Sequence, residues 1–376
     1  MDSGQAGTSP VIAVGSGAVE NIIVCEDGLQ LGRKHIVRQE ESLGGSGLNY
    51  TLRLMGAGRE VLPILPVGPD ARGQLIRESI VAAAAKTRVA PILVKFLSPR
   101  RFFVPRLKTP RSTILVNDGQ TTVFSEKFLE GKDFRRHLEK RFTDIEEGLA
   151  VTPGAVMIGH LYSDRRNGPP HIPGELTRLI IARWQGKAPI FLNPGHSQIE
   201  LGIRFWEDSF RQAAVVQMNI WEYKNLMKTG GRLPSLREVI EWFTDRGITA
   251  VISMGRFGSL GVFGNGQDGL VYGQPLLPPE RVRDTTGAGD AFAAGLVSAL
   301  AGKNSFSFDD FRRAIAVAGV WASFACTTFG GSGHCPSAQE LAAFRKELGD
   351  DEAKSVRIVE MRAAGPMLDM MDLLYS

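Results

Sequence analysis

Two aspartates bracket a glycine-rich turn at Asp284-Thr285-Thr286-Gly287-Ala288-Gly289-Asp290, and the turn runs straight into the small, apolar stretch Ala291-Phe292-Ala293-Ala294-Gly295-Leu296. Glycines at 287 and 289 let backbone N–H groups converge on one point. The start of a helix leaves its first amides unpaired and carries partial positive charge. Together these make a pocket for an anion such as a phosphate. Asp290 stands at its edge, where a carboxylate can take the proton from a hydroxyl that attacks phosphorus. Asp284 reads as a residue that orients or caps the turn.

A second glycine-rich segment lies far upstream: Leu43-Gly44-Gly45-Ser46-Gly47-Leu48-Asn49, leading into Leu52, Leu54, Met55, Gly56 and Gly58. Adjacent glycines permit close backbone approach to a polyhydroxyl ligand, and Asn49 offers both a donor and an acceptor. The same residues also read as a turn with a helix cap. Asn193-Pro194-Gly195 follows the apolar run Ile190–Leu192, and ligands of open α/β sheets bind at such strand ends. Asn219 and Glu222, three residues apart after Ala214–Met218, fit a capping box, and a single Glu also suffices for a magnesium ion that keeps its waters. No GxxxxGK[ST] occurs, which excludes a Walker-type ATP site. Gly264–Gly269 fits GxGxxG literally, but no helical pattern follows it, so it reads as a hairpin turn.

The two glycine segments, in this order and with a long gap between them, resemble the signatures of the PfkB (ribokinase-like) family of carbohydrate and nucleoside kinases, over roughly residues 10–345. The resemblance implies ATP-dependent phosphorylation of a hydroxyl on a sugar or sugar-like substrate. It makes Asp290 the general base and Gly287, Ala288 and Gly289 the anion hole. Gly44, Gly45, Asn49 and Glu20 would meet the phosphate acceptor. Asn193, Ser253, Gly255, Gly258, Thr286 and Gly331 would meet ATP. Asn219 and Glu222 would organise Mg2+ through water, and Asp284 would hold a monovalent cation, K+ in many members, beside the loop Thr327–Pro336. It also implies a small β lid, a homodimer through that lid, and small-molecule partners only. Glu20 departs from the Asp carried by many members, and Pro69 of Gly68-Pro69-Asp70 replaces an acid, leaving Asp70 as a turn or cap residue. Ser46 stands where ribokinases and phosphosugar kinases often have Lys, and His334 where a small hydroxyl residue is frequent. A nucleoside (adenosine-like) kinase and a non-catalytic ligand-binding homologue are the alternatives.

To position these residues, the chain must alternate strands with helices. Val11–Val14, Val61–Leu65, Ala155–Ile158, Ile190–Leu192, Ala214–Met218 and Thr249–Ser253 read as strands, with helical stretches at Arg72–Ala84, Gly174–Arg183, Ser235–Asp245 and Phe311–Phe324. This predicts an α/β fold, a central mostly parallel sheet with helices on both faces. Residues 19–42 and 92–126 break the rhythm and read as the lid: Asn21–Cys25, Lys34–Gln39, Ile92–Leu97, Arg101–Leu107, Thr113–Val116 and Thr121–Phe124, the last two joined by an Asp118-Gly119 hairpin signal. Arg100, Arg101 and Arg111 read as solvated strand residues, and the charged stretch 127–150 as a solvated helix. The kinase domain spans 10–347. A tail, 348–376, holds a candidate strand at Ser355–Val359 and a candidate docked helix at Met367–Leu374.

Of 376 residues, 43% are hydrophobic, enough for a core, and a net charge of +4 without a dense basic run argues against nucleic-acid binding. No run approaches the ~18 apolar residues of a membrane span. Cys25, Cys326 and Cys335 form no CxxC pair, and residues 1–9 lack a signal-peptide core, which predicts reduced thiols in a cytoplasmic protein.

Overall fold

The computed structural model describes residues 9–25, 28–86, 91–117, 120–126, 131–148, 152–162, 174–264, 269–349, 355–360 and 364–374. Strands β1 (Val11–Val14), β4 (Val61–Ile64), β7 (Ala155–Ile158), β8 (Ile190–Leu192), β9 (Val215–Asn219) and β10 (Ala250–Ser253) pair in parallel in the order β4-β1-β7-β8-β9-β10. Their near-continuous apolar character follows from burial on both faces. Strands β11 (Ser259–Val262), β12 (Gly269–Gly273) and β13 (Val356–Glu360) extend the sheet antiparallel to nine strands. The parallel strands share one C-terminal edge, where a ligand site forms in such a sheet.

A separate four-stranded sheet, ordered β3-β2-β5-β6, comprises β2 (Ala18–Cys25), β3 (Arg38–Gly44), β5 (Arg111–Asn117) and β6 (Gln120–Ser125). Its membership corrects part of the sequence reading. Ile92–Leu97 is no strand: Pro91–Phe96 is helical, and Leu93, Phe96 and Leu97 are buried at helical spacing. Arg101–Leu107 opens in a second short helix, Pro99–Phe102, with Pro99 at its start, so Arg100 and Arg101 are helical, whereas Arg111 does lie on a strand. Lys34–Gln39 is displaced, the strand beginning at Arg38 and pairing with β2 out to Gly44. The Asn117↔Gln120 pair closes the expected hairpin; its tip, Asp118-Gly119, lies outside the described residues, as does 265–268 of the turn between β11 and β12. Helix Gly131–Gly148 is only half solvated, since Phe134, Leu138, Phe142 and Ile145 bury one face. On that helix Arg141 is also buried, paired with Asp144 at 2.7 Å.

The tail does form a strand and a docked helix. Helix Gly365–Leu374 packs on helix Leu236–Asp245, where the Asp372 carboxylate accepts from the Leu236 amide at 2.8 Å and pairs with Lys224 Nζ at 2.9 Å. Among the described residues, no helix is long and apolar enough to cross a membrane, and the three cysteines are free thiols.

Helix Ala288–Leu300 sits at the heart of the molecule, with Ala291 to Val297 all buried. Its small residues permit close packing on helix Phe308–Ala325: a Cβ on Gly295 would lie 2.7 Å from Ala318 Cα. Helix Ser46–Gly56 packs on its other side. Both glycine-rich turns therefore open onto one place.

Candidate active site

The turn before helix Ala288–Leu300 is built by Asp284. Its Oδ1 accepts from the Thr286 amide at 2.9 Å and from Thr286 Oγ1 at 2.8 Å, and its Oδ2 accepts from the Gly330 amide at 2.8 Å. Gly287 caps the helix in the left-handed region, φ 73°, a conformation suited to glycine. The Ala288 amide donates to Thr285 O at 3.1 Å, so it is not a free member of the anion hole. Among the described residues the amides of Gly287 and Gly289 have no such partner, and Gly289 is exposed. Asp290 lies in the first helical turn, partly exposed.

The second turn meets the first directly. Asn49 Nδ2 donates to Asp290 Oδ2 at 2.6 Å, joining residues 241 apart in sequence. Asn49 is 3% exposed, and its Oδ1 has no partner among the described residues. Gly45 (φ 93°) caps helix Ser46–Gly56, while Gly44 makes room for Glu20, whose carboxylate occupies the place a Cβ would take. Glu20 is buried, with Oε2 unpartnered. Burial, and then the negative charge of Asp290, push its pKa up to about 7. Tyr50, also buried, donates to Asn193 Oδ1 at 2.5 Å; burial and Asp290 hold its hydroxyl protonated.

Along the strand ends, Asn193 Nδ2 donates to Gln217 Oε1 at 2.6 Å and to Gln217 O at 2.7 Å. Its polar atoms thus serve internal bonds that tie β8 to β9 and to Tyr50. Ser253, opposite Asn219 in register, accepts from Gln217 Nε2 at 3.3 Å. Gly255 (φ 52°) faces open space, whereas Gly258 (φ 83°) is pressed on Gly273 O. Gly331 is buried against Asn49.

Residues 176–339 match the model of the pfkB family carbohydrate kinases. That segment, under half of the chain, carries a PfkB-family domain match. The fold of the chain is similar to that of ribokinase from Thermotoga maritima, at 19% identity, covering 90% of this chain and 99% of that one, TM-score 0.65. It is similar to Arabidopsis thaliana ribokinase, solved with ribose and ATP, at 15% identity, covering 90% and 99%, TM-score 0.63. It is also similar to a nucleoside kinase of Methanocaldococcus jannaschii, at 16% identity, covering 91% and 100%, TM-score 0.61. At these identities the likeness is one of fold. No curated protein sequence matches the chain significantly.

The donor chemistry of the expected metal residues is uneven. Asn219 and Glu222 form a reciprocal capping box at helix Ile220–Leu226: Glu222 Oε2 accepts from the Asn219 amide at 2.8 Å, and Asn219 Oδ1 from the Glu222 amide at 2.9 Å. Asn219 Oδ1 is therefore engaged, while the second oxygen of Glu222 fits a hydrated Mg2+. Burial raises the pKa of Glu222, with His160 acting against that shift. Among the described residues, no three His, Cys, Asp or Glu cluster as a metal cage. The Asp284 carboxylate already accepts three protein hydrogen bonds, two of them on Oδ1, which leaves about one acceptor position, on Oδ2, for a monovalent cation. Sequence reasoning missed Tyr50, Gln217 and Arg53, the last donating through Nη2 to Gly331 O at 2.7 Å. A lone cationic residue amid Leu48, Leu52, Leu54 and Met55 was the available signal for Arg53.

Proposed function

We propose that the protein transfers the γ-phosphoryl group of ATP to a hydroxyl of an uncharged sugar or nucleoside. The Asn49–Asp290 bond carries this reading, since it sets a carboxylate beside free amides at a helix start. The acceptor hydroxyl oxygen attacks the γ-phosphorus, Asp290 takes its proton, and ADP leaves. The Gly287 and Gly289 amides stabilise charge on the transferred group, where phosphoryl transfer needs positioning and electrostatics above all. When bound, Mg2+ near Glu222 neutralises phosphate charge. Glu20 Oε2 and Asn49 Oδ1, both unpartnered, would receive acceptor hydroxyls.

An uncharged acceptor is favoured by Ser46. Its Oγ accepts from the His160 amide at 2.8 Å, and Ser46 places no cation where a phosphosugar would need one. The buried carboxyl of Glu20 argues the same way. Both ribokinases and a nucleoside kinase share this fold, so pentose and nucleoside are the acceptors to test first. The small sheet would act as the lid that excludes water as a competing acceptor, and in pairs of molecules as a dimer contact. Residues 10–347 would form the kinase domain and 348–376 an extension, with a cytoplasmic location.

The test is ADP release from Mg-ATP across pentoses, hexoses, phosphosugars and nucleosides. Turnover confined to uncharged acceptors supports the reading. Phosphosugar as the best substrate overturns the acceptor class, and ligand binding without any ADP release favours the non-catalytic homologue.

A further inference from the structure

The side chain of Arg53 is among the largest fully buried ones, 1% exposed. Among the described residues it forms no ion pair with a carboxylate. Nη2 donates to Gly331 O at 2.7 Å, and Nε has no partner. Arginine stays charged in proteins, and an uncompensated buried charge is expensive. Its place ties it to the turn. A Cβ on Gly331 would meet Asn49 Nδ2 at 2.8 Å, and a Cβ on Gly287 would meet Gly331 Cα at 2.7 Å. Arg53 therefore stands one backbone layer behind the anion hole. Burial lowers its pKa, while Cys335, Asp290 and Cys326 act the other way.

We propose that Arg53 is a positioning residue for phosphoryl transfer: an internal cation that pins Gly331 against Gly287 and balances charge behind the anion hole, so that the protein needs no bound monovalent cation. This rests on the kinase reading of the same site. Asp284 adds to it, because its carboxylate is already largely committed to Thr286 and Gly330, which leaves about one acceptor position for a cation.

Turnover of Mg-ATP with the best acceptor of the panel is measured in potassium chloride and in tetramethylammonium chloride at equal ionic strength. The wild type is compared with Arg53→Met, whose apolar chain fills similar space without a buried charge. Calorimetric binding of Mg-ADP is measured in the same salts. Wild-type rate and affinity should agree within about twofold between the salts. Arg53→Met should lose about tenfold in kcat, more than in acceptor KM, with Mg-ADP binding weakened, and potassium should restore part of both losses. A purely structural role would lower Tm without salt-specific rescue. A wild-type rate or Mg-ADP affinity that collapses in tetramethylammonium overturns the proposal, as does an Arg53→Met variant equal to wild type in both salts. If no acceptor turns over, the kinase reading fails, and the Mg-ADP comparison still decides on Arg53. If Arg53→Met does not fold, the wild-type salt comparison decides alone.

Discussion

The two glycine-rich turns look alike in sequence, yet their glycines answer to different neighbours. At the first turn, protein occupies the space of every missing side chain: a Cβ would lie 2.1 Å from the Glu20 carboxylate at Gly44, 2.8 Å from Ser16 O at Gly45, and 2.6 Å from the Gly15 carbonyl carbon at Gly47. At the second turn, Gly287 is likewise pressed on Gly331, but among the described residues a Cβ on Gly289 would meet nothing within 4 Å. Glycine at a helical position costs about 0.5–1 kcal/mol relative to alanine. No packing requirement offsets that cost at Gly289. Close approach of a ligand to its amide would offset it, which is the physical reason to propose the phosphoryl group at the second turn and the acceptor beside the first.

Three substitutions test this difference between the turns. The largest effect is expected at Glu20, the carboxyl that fills the space over Gly44. Its pKa is raised from 4.5 to about 7, so the folded protein binds an extra proton between those values. Wild-type stability therefore falls as pH rises through that window, and the penalty is complete above it. Glu20→Gln should gain about 3 kcal/mol on wild type between pH 5 and pH 8, read from denaturant unfolding at both. A constant difference across that range would show that Glu20 is not the buried acid described.

Next is Gly47→Ala, which should cost about 2 kcal/mol of stability through overpacking against Gly15. A thermal midpoint equal to wild type would mean the first turn is looser than its contacts indicate. The smallest effect, and the sharpest contrast, is at Gly289. Gly289→Ala should leave Tm equal or slightly higher while turnover drops about tenfold, as for a partly blocked oxyanion donor. Unchanged turnover would remove ligand approach as the reason for that glycine.

Much of this contrast was legible in the sequence. Both turns and the parallel strands could be placed, because glycine punctuation and short apolar runs are local signals; the contact between Asn49 and Asp290, 241 residues apart, could not. What failed was also local. Ile92–Leu97 is apolar and short, which suits strand and helix equally, and the prolines at 91 and 99 carried the better cue. Arg38–Gly44 is a polar, largely exposed strand whose pairing with β2, not its own pattern, defines it. Asn193 lies at a strand end as expected, yet neighbours distant in sequence, Tyr50 and Gln217, engage its side chain. Arg53 and Asp284 likewise took their roles from the loop at Gly330-Gly331, a contact no spacing rule reveals.

If Asp290, held by Asn49, is the proton acceptor beside a phosphoryl-binding turn, its loss should separate nucleotide binding from turnover. The most direct test compares Asp290→Asn with wild type by calorimetric Mg-ADP binding and by turnover. Nucleotide affinity should stay within about threefold of wild type while kcat falls by about 10³ or more. Wild-type-like turnover in Asp290→Asn would remove Asp290 as the proton acceptor.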